Sequence, residues 1–585
     1  MGIIVTMKNP IIHILCAFIL CIFIASSLYA ATTRYYPLQY AFSGIADKAI
    51  QKNIHAALQN FRSRLHFPLT QEEIHHFVHK SPVMIQNAIK PYGYFKSHIK
   101  SNLVKTKDGW QAFFTIDPGQ PLPITAMDIT IQGDGQNDPA FLHWKKTLPF
   151  KIGDTLQTEQ FENAKNALYD IATRHGYFSS NLVKSQIQIN LKTYQAKIIL
   201  IFNTGPRFKF GQTTFSKTSF YESFLRKFLT YHQGEYYNAD KLEKTQEGLV
   251  NSNYFNQIVI KPLPKEAKNG EVPISVSMIP RKAKTYTLGL GYGSDTGIRG
   301  TIGMTLRHIG HVGHRFQTLL RASQNNSSFV AKYIIPGLNP ASDLFTIGAG
   351  VSNIEQSTGN AKNAKFGVTY SIMKGRWKHS LTLAYLNERY NITTLPNTST
   401  YLVYPTLESK YLNADHPRNP HRGISFEIQY ATASQAILSQ TDFSQFVAHL
   451  KTLYTIDKTS TRLLFRADGG HTNIANITRL PLSLQLFAGG SRSIRGYGYN
   501  SIGPGRNLVV ASTEIQQRVY GAFYGVLFFD AGVVGNQNIF QHINMGTGPG
   551  VAWVSPIGTI EVTVANAFTQ ATKPWSIQFT MGTAL

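Results

Sequence analysis

From Lys282 to its end the chain alternates, and that period of two most restricts what it can fold into. Tyr286, Leu288, Leu290 and Tyr292 share one parity; Thr285, Thr287, Gly289, Gly291 and Gly293 share the other. Ile424, Phe426, Ile428 and Tyr430 alternate with Gly423, Ser425, Glu427 and Gln429. Ile560, Val562 and Val564 alternate with Thr559, Glu561 and Thr563, and Ile577, Phe579 and Met581 with Ser576, Gln578 and Thr580. This is the period of a β-strand. A soluble sandwich also alternates, with its apolar face inward. Repetition over the whole carboxy-terminal half, with glycine-rich polar connections, favours a transmembrane antiparallel β-barrel whose apolar face meets lipid. Strands of ~9–11 residues with turns between them leave room for about sixteen.

The first thirty residues read differently. Lys8 precedes the apolar stretch from Ile11 to Ile24, and Ala25-Ser-Ser-Leu-Tyr-Ala-Ala31 follows. A positive start, an apolar centre and a small-residue end describe a secretory signal peptide, residues 1–30. Both cysteines, Cys16 and Cys21, fall inside it. The mature chain therefore has no disulfide, no thiolate nucleophile and no cysteine–zinc site. Beyond that segment no apolar run approaches the ~20 residues of a transmembrane helix.

The formal net charge is +25 over 585 residues. Such a charge points to anionic partners, nucleic acid or lipid headgroups. The basic residues are scattered and form no tract, which argues against nucleic acid and leaves two readings, outer-membrane lipid as the partner or a generally basic proteome.

The amino-terminal half repeats. Gly93-Tyr-Phe95, Gly176-Tyr-Phe178 and Asn253-Tyr-Phe255 recur roughly eighty residues apart. Each closes a helical pattern and opens a strand pattern. Thr70-Gln-Glu-Glu73 is a capping box, with Ile74, Phe77 and Val78 following at helical spacing. Thr158 is a candidate cap for a helix carrying Phe161, Ala164, Leu168 and Ile171, and Asn238 for one carrying Leu242 and Leu249. Gly93, Gly176 and Asn253 are residue types that accept the left-handed conformation at a helix end. Leu182–Ile189 with Lys197–Phe202, and Asn256–Ile260 with Val272–Ser277, read as hairpins. Each α+β unit thus runs strand, helix, helix, strand, strand. The tyrosine–phenylalanine pairs read as core packing between helix and sheet.

Within the barrel half, Ile494-Arg-Gly-Tyr497 sits in a glycine-rich, aromatic and basic stretch, 488–505. Glu514 shares its parity with Val510, Ser512 and Gln516, opposite the more apolar set of Val509, Ala511, Ile515 and Val519. Asp530 lies opposite Leu527, Phe529, Ala531 and Val533. Both carboxylates therefore face the lumen. Arg495 offers a planar fork that pairs with carboxylates bidentately. Gly496 permits a sharp turn against the wall, and Tyr497 packs while its hydroxyl finds a partner. On residues alone, these also read as ordinary polar lining of a wet barrel.

Three repeats followed by a barrel with an Ile-Arg-Gly-Tyr loop resemble the Omp85 superfamily, whose repeats are POTRA domains. Asp415-His-Pro-Arg-Asn-Pro-His-Arg-Gly423 resembles that family's turn ahead of a barrel strand. Phe529-Asp-Ala-Gly532 resembles its aspartate–glycine strand, and Gly548-Pro-Gly-Val-Ala-Trp-Val-Ser-Pro-Ile-Gly558 its penultimate-strand motif. Ile298-Arg-Gly300 is a decoy lying between strands, with no aromatic after it. The resemblance implies POTRA units over residues 31–119, 120–204 and 205–280, then a barrel of sixteen strands over 281–585. It also implies a lid loop (Ile494, Arg495, Gly496, Tyr497) held by wall residues Glu514, Asp530 and Gly532. A lateral seam would join Thr285, Gly289, Gly291 and Gly293 of the first strand to Ser576, Gln578 and Gly582 of the last. Three repeats and this length are most similar to the TamA branch. That branch implies a TamB-like inner-membrane-anchored partner on periplasmic POTRA domains and unfolded outer-membrane proteins, autotransporters among them, as substrates. The runner-up within the superfamily is a two-partner secretion transporter exporting one dedicated substrate.

An enzyme is the main rival outside the family, and its signatures are missing. There is no Ser-centred elbow, HExxH or cysteine nucleophile, and no cofactor or phosphate loop. Gly289-Leu-Gly-Tyr-Gly293 mimics part of a dinucleotide loop but sits in a strand pattern. His75 and His79 share a helix face, yet no third ligand accompanies them, so no metal site is assigned. His308, His311 and His314 read as hairpin residues. A passive porin would need no repeats ahead of its barrel.

Overall fold

The structure is a computed structural model that describes residues 35–65, 69–294, 297–392, 395–416, 419–555 and 558–582. The signal peptide assigned to residues 1–30 lies outside them. Two compact units are present; one holds the first two α+β repeats, the other most of the third repeat with the barrel.

In the first repeat the strand Leu38–Ser43 runs parallel to Gly109–Asp117, which pairs antiparallel with His98–Thr106. Two helices, Lys48–Arg62 and Gln71–Ile89, cover this sheet. Ile54, Leu58, Ile74, Phe77 and Ile85 pack on Ala112, Phe114 and Ile116. The Glu73 amide donates to Thr70 Oγ1 at 3.2 Å and the Thr70 amide to Glu73 Oε2 at 2.8 Å, a complete capping box. His75 rests edge-on against Trp110. Among the described residues no cluster of three or more metal-ligating side chains occurs.

The second repeat copies this plan. Gln195–Asn203 is central, parallel to Ile124–Gln132 and antiparallel to Asn181–Asn190. Its long helix, Thr158–His175, does not begin as the sequence implied: Thr158 is its first helical residue, and Gln157 precedes it without a side-chain cap. The Leu156 amide is tied to the Leu122 carbonyl at 2.8 Å, which fixes the entry one residue earlier. In the third repeat Glu271–Pro280 is central between Phe255–Pro262 and Lys209–Phe215. The helix ends at Gly93 (φ 93°), Gly176 (φ 86°) and Asn253 (φ 62°) are left-handed. Tyr177, Tyr254 and Phe255 are buried in their cores.

Asp138 is the polar centre of the second repeat. Its carboxylate accepts from the Ala140 amide at 2.9 Å, capping the helix Pro139–Lys146, and from the Tyr177 hydroxyl at 2.9 Å. Burial, reinforced by this carboxylate, pushes the Tyr177 hydroxyl pKa up.

The carboxy-terminal half is one antiparallel sheet of sixteen strands, running from Lys284–Gly293 to Trp575–Gly582. Among the described residues no helix is long and apolar enough to cross a membrane. The strands present the apolar parity outward: Leu288 is 80 % and Leu290 94 % exposed on the bare barrel. Inward positions such as Val510, Ser512 and Gln516 are buried. The three longest strands run well past the ~9–11 residues that a bilayer needs: Gly359–Lys374, Trp377–Ile392 and Leu395–Ala414. Their excess length stands beyond the apolar band. Ile298-Arg-Gly300 lies within the second strand, Gly297–Ile309, rather than between strands. Gly548–Ser555 belong to the third strand from the end, Asn544–Ser555, and the penultimate strand begins only at Gly558. Pro556 and Ile557, between them, lie outside the described residues. The Gly548–Gly558 motif therefore reaches from the third strand from the end to the first residue of the penultimate one.

The third repeat holds the barrel's second hairpin. The Tyr254 hydroxyl donates to the Gly313 carbonyl at 2.5 Å, and the Tyr221 amide donates to the His311 carbonyl at 3.0 Å. His308 packs on Phe220 and His314 Nδ1 meets the Tyr333 hydroxyl at 2.8 Å, so all three histidines serve this hairpin. The Asp415 carboxylate accepts from the amides of His416, His421 and Arg422, tying Asp415 to the start of the strand Arg422–Ala433; Pro417 and Arg418 lie outside the described residues.

Replacing Asp138 with alanine removes a helix cap and strands a buried tyrosine hydroxyl. The cost is about 2–4 kcal/mol. Amide hydrogen exchange across Pro139–Lys146 is the measurement, and faster exchange confined to the second repeat is the expected outcome.

Candidate functional site: a loop folded into the barrel

The eleventh strand, Thr461–Ile474, and the twelfth, Asn507–Tyr520, are joined by a connection of residues 475–506 that turns back into the lumen. It leaves the end of the barrel opposite the hairpin held by the third repeat. Its first part rests on one wall. Leu480 and Leu482 are buried, the first beside Leu402 and Tyr404, the second beside Tyr390 and Ile392. The Tyr390 hydroxyl donates to the Thr478 carbonyl at 2.7 Å, and the Ser483 amide donates to the fully buried Glu388 at 3.1 Å. Leu486–Ala488 and Ile502–Gly505 then pair as a short ribbon. Its tip carries Ile494, Arg495, Gly496 and Tyr497, all buried.

Arg495 reaches the opposite wall. Its Nε and Nη2 donate to Asp530 Oδ2 and Oδ1 at 2.8 and 2.9 Å, a bidentate pair. Its backbone amide also donates to Asp530 Oδ2, at 2.9 Å. Nη1 donates to Glu514 Oε2 at 2.5 Å and to Glu561 Oε1 at 3.1 Å. The Ser512 hydroxyl donates to Asp530 Oδ1 at 2.6 Å, and Gln516 Nε2 donates to Glu514 Oε1 at 2.6 Å. Beneath this fork lies the Phe528 ring, 3.6 Å from the guanidinium carbon to the ring centroid. Asp530 has no exposed surface. One cation therefore answers three carboxylates from the twelfth, thirteenth and fifteenth strands.

Two glycines admit this approach. Gly496 has φ +96°, and a Cβ there would stand 2.8 Å from the Ala567 amide nitrogen. A Cβ on Gly546 would stand 1.9 Å from the Arg495 carbonyl oxygen. Ile494 and Gly532 are also in contact: a Cβ on Gly532 would meet Ile494 Cδ1 at 3.0 Å and the Val509 carbonyl oxygen at 2.8 Å. The Tyr497 hydroxyl meets Thr569 Oγ1 at 2.7 Å.

The two terminal strands face each other differently from every other pair. Among the described residues no ladder joins Lys284–Gly293 to Trp575–Gly582. Among the same residues one hydrogen bond crosses, from the Phe579 amide to Ser294 Oγ at 3.3 Å. Thr285 accepts from Arg307 Nη2 at 3.1 Å, on the second strand. Gly289, Gly291 and Gly293 lie on the first strand, and Ser576, Gln578 and Gly582 on the last. Gln578 points inward and donates to the Tyr497 carbonyl at 3.3 Å, so it touches the loop rather than the first strand.

Glu561 completes the carboxylate cage and is the residue that the sequence argument left out. Its signal was present: it alternates with Ile560 and Val562 in the same way as Glu514 alternates with Ile515. Phe528 and Gln578 follow from the same parity rule. Glu388 and Ser483 carry no comparable pattern.

Residues 312–585 match the Omp85 superfamily domain. The match covers the barrel from its second hairpin onward. Ahead of it, residues 41–118 match the model described as POTRA domain TamA domain 1, and residues 208–278 match a POTRA model described as surface antigen variable number repeat. The chain is similar to outer envelope protein 80, chloroplastic, of Oryza sativa subsp. japonica, 22 % identical over 469 residues that cover 73 % of this chain and 67 % of that protein. It is also similar to outer envelope protein 39, chloroplastic, of Arabidopsis thaliana, 38 % identical over 101 residues, 15 % of this chain and 28 % of the other. The crystal structure of BamA from Haemophilus ducreyi lacking POTRA domains 1–3 shares the fold. Its TM-score is 0.65 at 16 % identity, covering 79 % of this chain and 99 % of that one. A sixteen-stranded barrel with this match, behind repeats that match POTRA models, points to an outer membrane.

Replacing Arg495 with alanine leaves three lumen carboxylates without their cation, a loss of about 3–5 kcal/mol from loop docking. A cysteine placed at Ser501 is then expected to react faster with a membrane-impermeant maleimide, while the barrel keeps its folded mobility in unheated gels. Gly546→Ala displaces the Arg495 carbonyl and is expected to raise the same labelling rate. Labelling unchanged in both variants would show that the loop is held elsewhere.

Proposed function

We propose that this protein is an outer-membrane assembly and translocation factor, which inserts or secretes β-barrel substrates such as autotransporters by opening the join between its first and last strands. The observation that carries the proposal is the state of that join: among the described residues one side-chain hydrogen bond stands where every neighbouring pair has a ladder. Unpaired strand edges recruit other strands. Glycine at 289, 291 and 293 weakens the first strand and lets it bend aside. An unfolded outer-membrane chain then adds to the free edge strand by strand, its own folding supplying the free energy.

The inward loop acts as the lid in this scheme. It blocks the lumen while Arg495 is caged, and it touches the last strand through Gln578, so that lid and join move together. The α+β repeats extend into the periplasm, where their sheet edges receive substrate and a TamB-like inner-membrane-anchored partner. The match of the first repeat to a TamA-type POTRA model supports this branch of the superfamily.

Ser294 and Phe579 face each other across the join, and cysteines at both positions allow a short bismaleimide to fasten it. Fastened protein reconstituted in liposomes is expected to lose assembly of an autotransporter barrel, and to regain it when the crosslinker is cleavable and cut. Assembly at the full rate with the join fastened would rule out lateral opening.

A further inference from the structure

A second arginine of the loop, three residues before Arg495, lies at the join itself. Arg492 Nη2 donates to the Met581 carbonyl at 2.9 Å. Backbone groups alternate in direction along a strand, so residues of one parity send their N–H and C=O to the same edge. The Phe579 amide points across the join to Ser294. Met581 shares the parity of Phe579, so its carbonyl belongs to that same unpaired edge. The guanidinium of Arg492 therefore occupies an acceptor that a strand adding to this edge must use.

The surroundings fit a position that is filled and emptied. The Arg492 carbonyl accepts from Arg466 Nη1 and the Ser493 carbonyl from Arg466 Nη2, fixing the base of the side chain to the eleventh strand. The side chain itself is exposed, so its bond to Met581 is one that water and other donors can replace. A cavity of about 330 Å³ opens at this point, lined by Tyr292 and Gly293 of the first strand, Arg299 of the second, Arg492, and Phe579 to Met581 of the last. A larger one of about 610 Å³ on the lumen side shares Arg492, Thr580 and Met581 with it. Space thus exists on both sides of the bond for the guanidinium to swing away and a backbone to enter.

We propose that Arg492 is a latch on the edge of the last strand. It holds the Met581 carbonyl while the loop is docked, and an extended segment with free backbone N–H groups displaces it on entry. Recognition is of main-chain donors, so the latch is indifferent to the side chains of the incoming strand. It is a positioning residue that couples release of Arg495 to exposure of the edge. The idea rests on the proposed lateral opening.

The test uses the full chain in liposomes with a photo-crosslinking peptide of alternating valine and threonine as the probe. Arg492→Ala is expected to raise crosslinking to Trp575–Gly582 roughly tenfold at subsaturating peptide, the ratio equivalent to 1.4 kcal/mol. Arg492→Lys, which retains one donor, is expected to fall between. Folded mobility in unheated gels serves to show that the barrel itself is unaltered in both variants. Capture by Arg492→Ala equal to that of the unaltered protein overturns the latch. The fastened Ser294→Cys, Phe579→Cys protein separates the two ideas: if it captures as much peptide as the unfastened protein, lateral opening itself fails. If fastening abolishes capture and Arg492→Ala changes nothing, only the latch fails.

Discussion

One guanidinium set among three carboxylates in a lumen shielded from water governs how this barrel is organised. Glu514, Asp530 and Glu561 stand on the twelfth, thirteenth and fifteenth strands with their charges converging. Left alone, they would repel one another where little solvent screens them. Arg495 satisfies all three and brings with it a connection that would otherwise extend into water. The Phe528 ring below and the Ser512 and Gln516 side chains beside it complete the cage, so that few other residues meet its geometry. Lysine carries the same charge but lacks the fork that spans two carboxylates.

The loop is held at both ends of its path, by unlike chemistry. On one wall Leu480 and Leu482 are buried among aliphatic and aromatic side chains, and a single carboxylate, Glu388, accepts the Ser483 amide. On the other wall the attachment is ionic. The apolar half is insensitive to charge and the ionic half is directional. The tip is therefore the part whose position depends on one residue, and the tip is also what touches the last strand.

Much of this was legible in the sequence because it depends on periodicity. Alternation identifies inward and outward positions, and so Glu514 and Asp530 could be placed on the lumen face before any coordinates. The helix ends at Gly93, Gly176 and Asn253 were legible because few residue types accept a left-handed conformation. The capping box at Thr70 announced its helix, whereas Thr158 misled: a tertiary hydrogen bond at Leu156, invisible in the sequence, set where that helix begins. Glu561 was legible by the same parity and was passed over. Glu388, Arg466 and Arg492 were not legible, since each meets a backbone group, of the loop for Glu388 and Arg466 and of the last strand for Arg492, and a backbone group leaves no mark in a sequence.

Sequence separation gives the cage an order of events in time. Arg495 meets Glu514 nineteen positions on, Asp530 thirty-five and Glu561 sixty-six. The last of these partners exists only when the penultimate strand has joined the sheet. Until then the guanidinium has two of its three anions, and the backbone pocket beside Gly546 that receives its carbonyl is complete only once the fourteenth strand is laid down. The tip therefore locks only when the twelfth to fifteenth strands stand side by side, and its arrival marks that stretch of wall as complete.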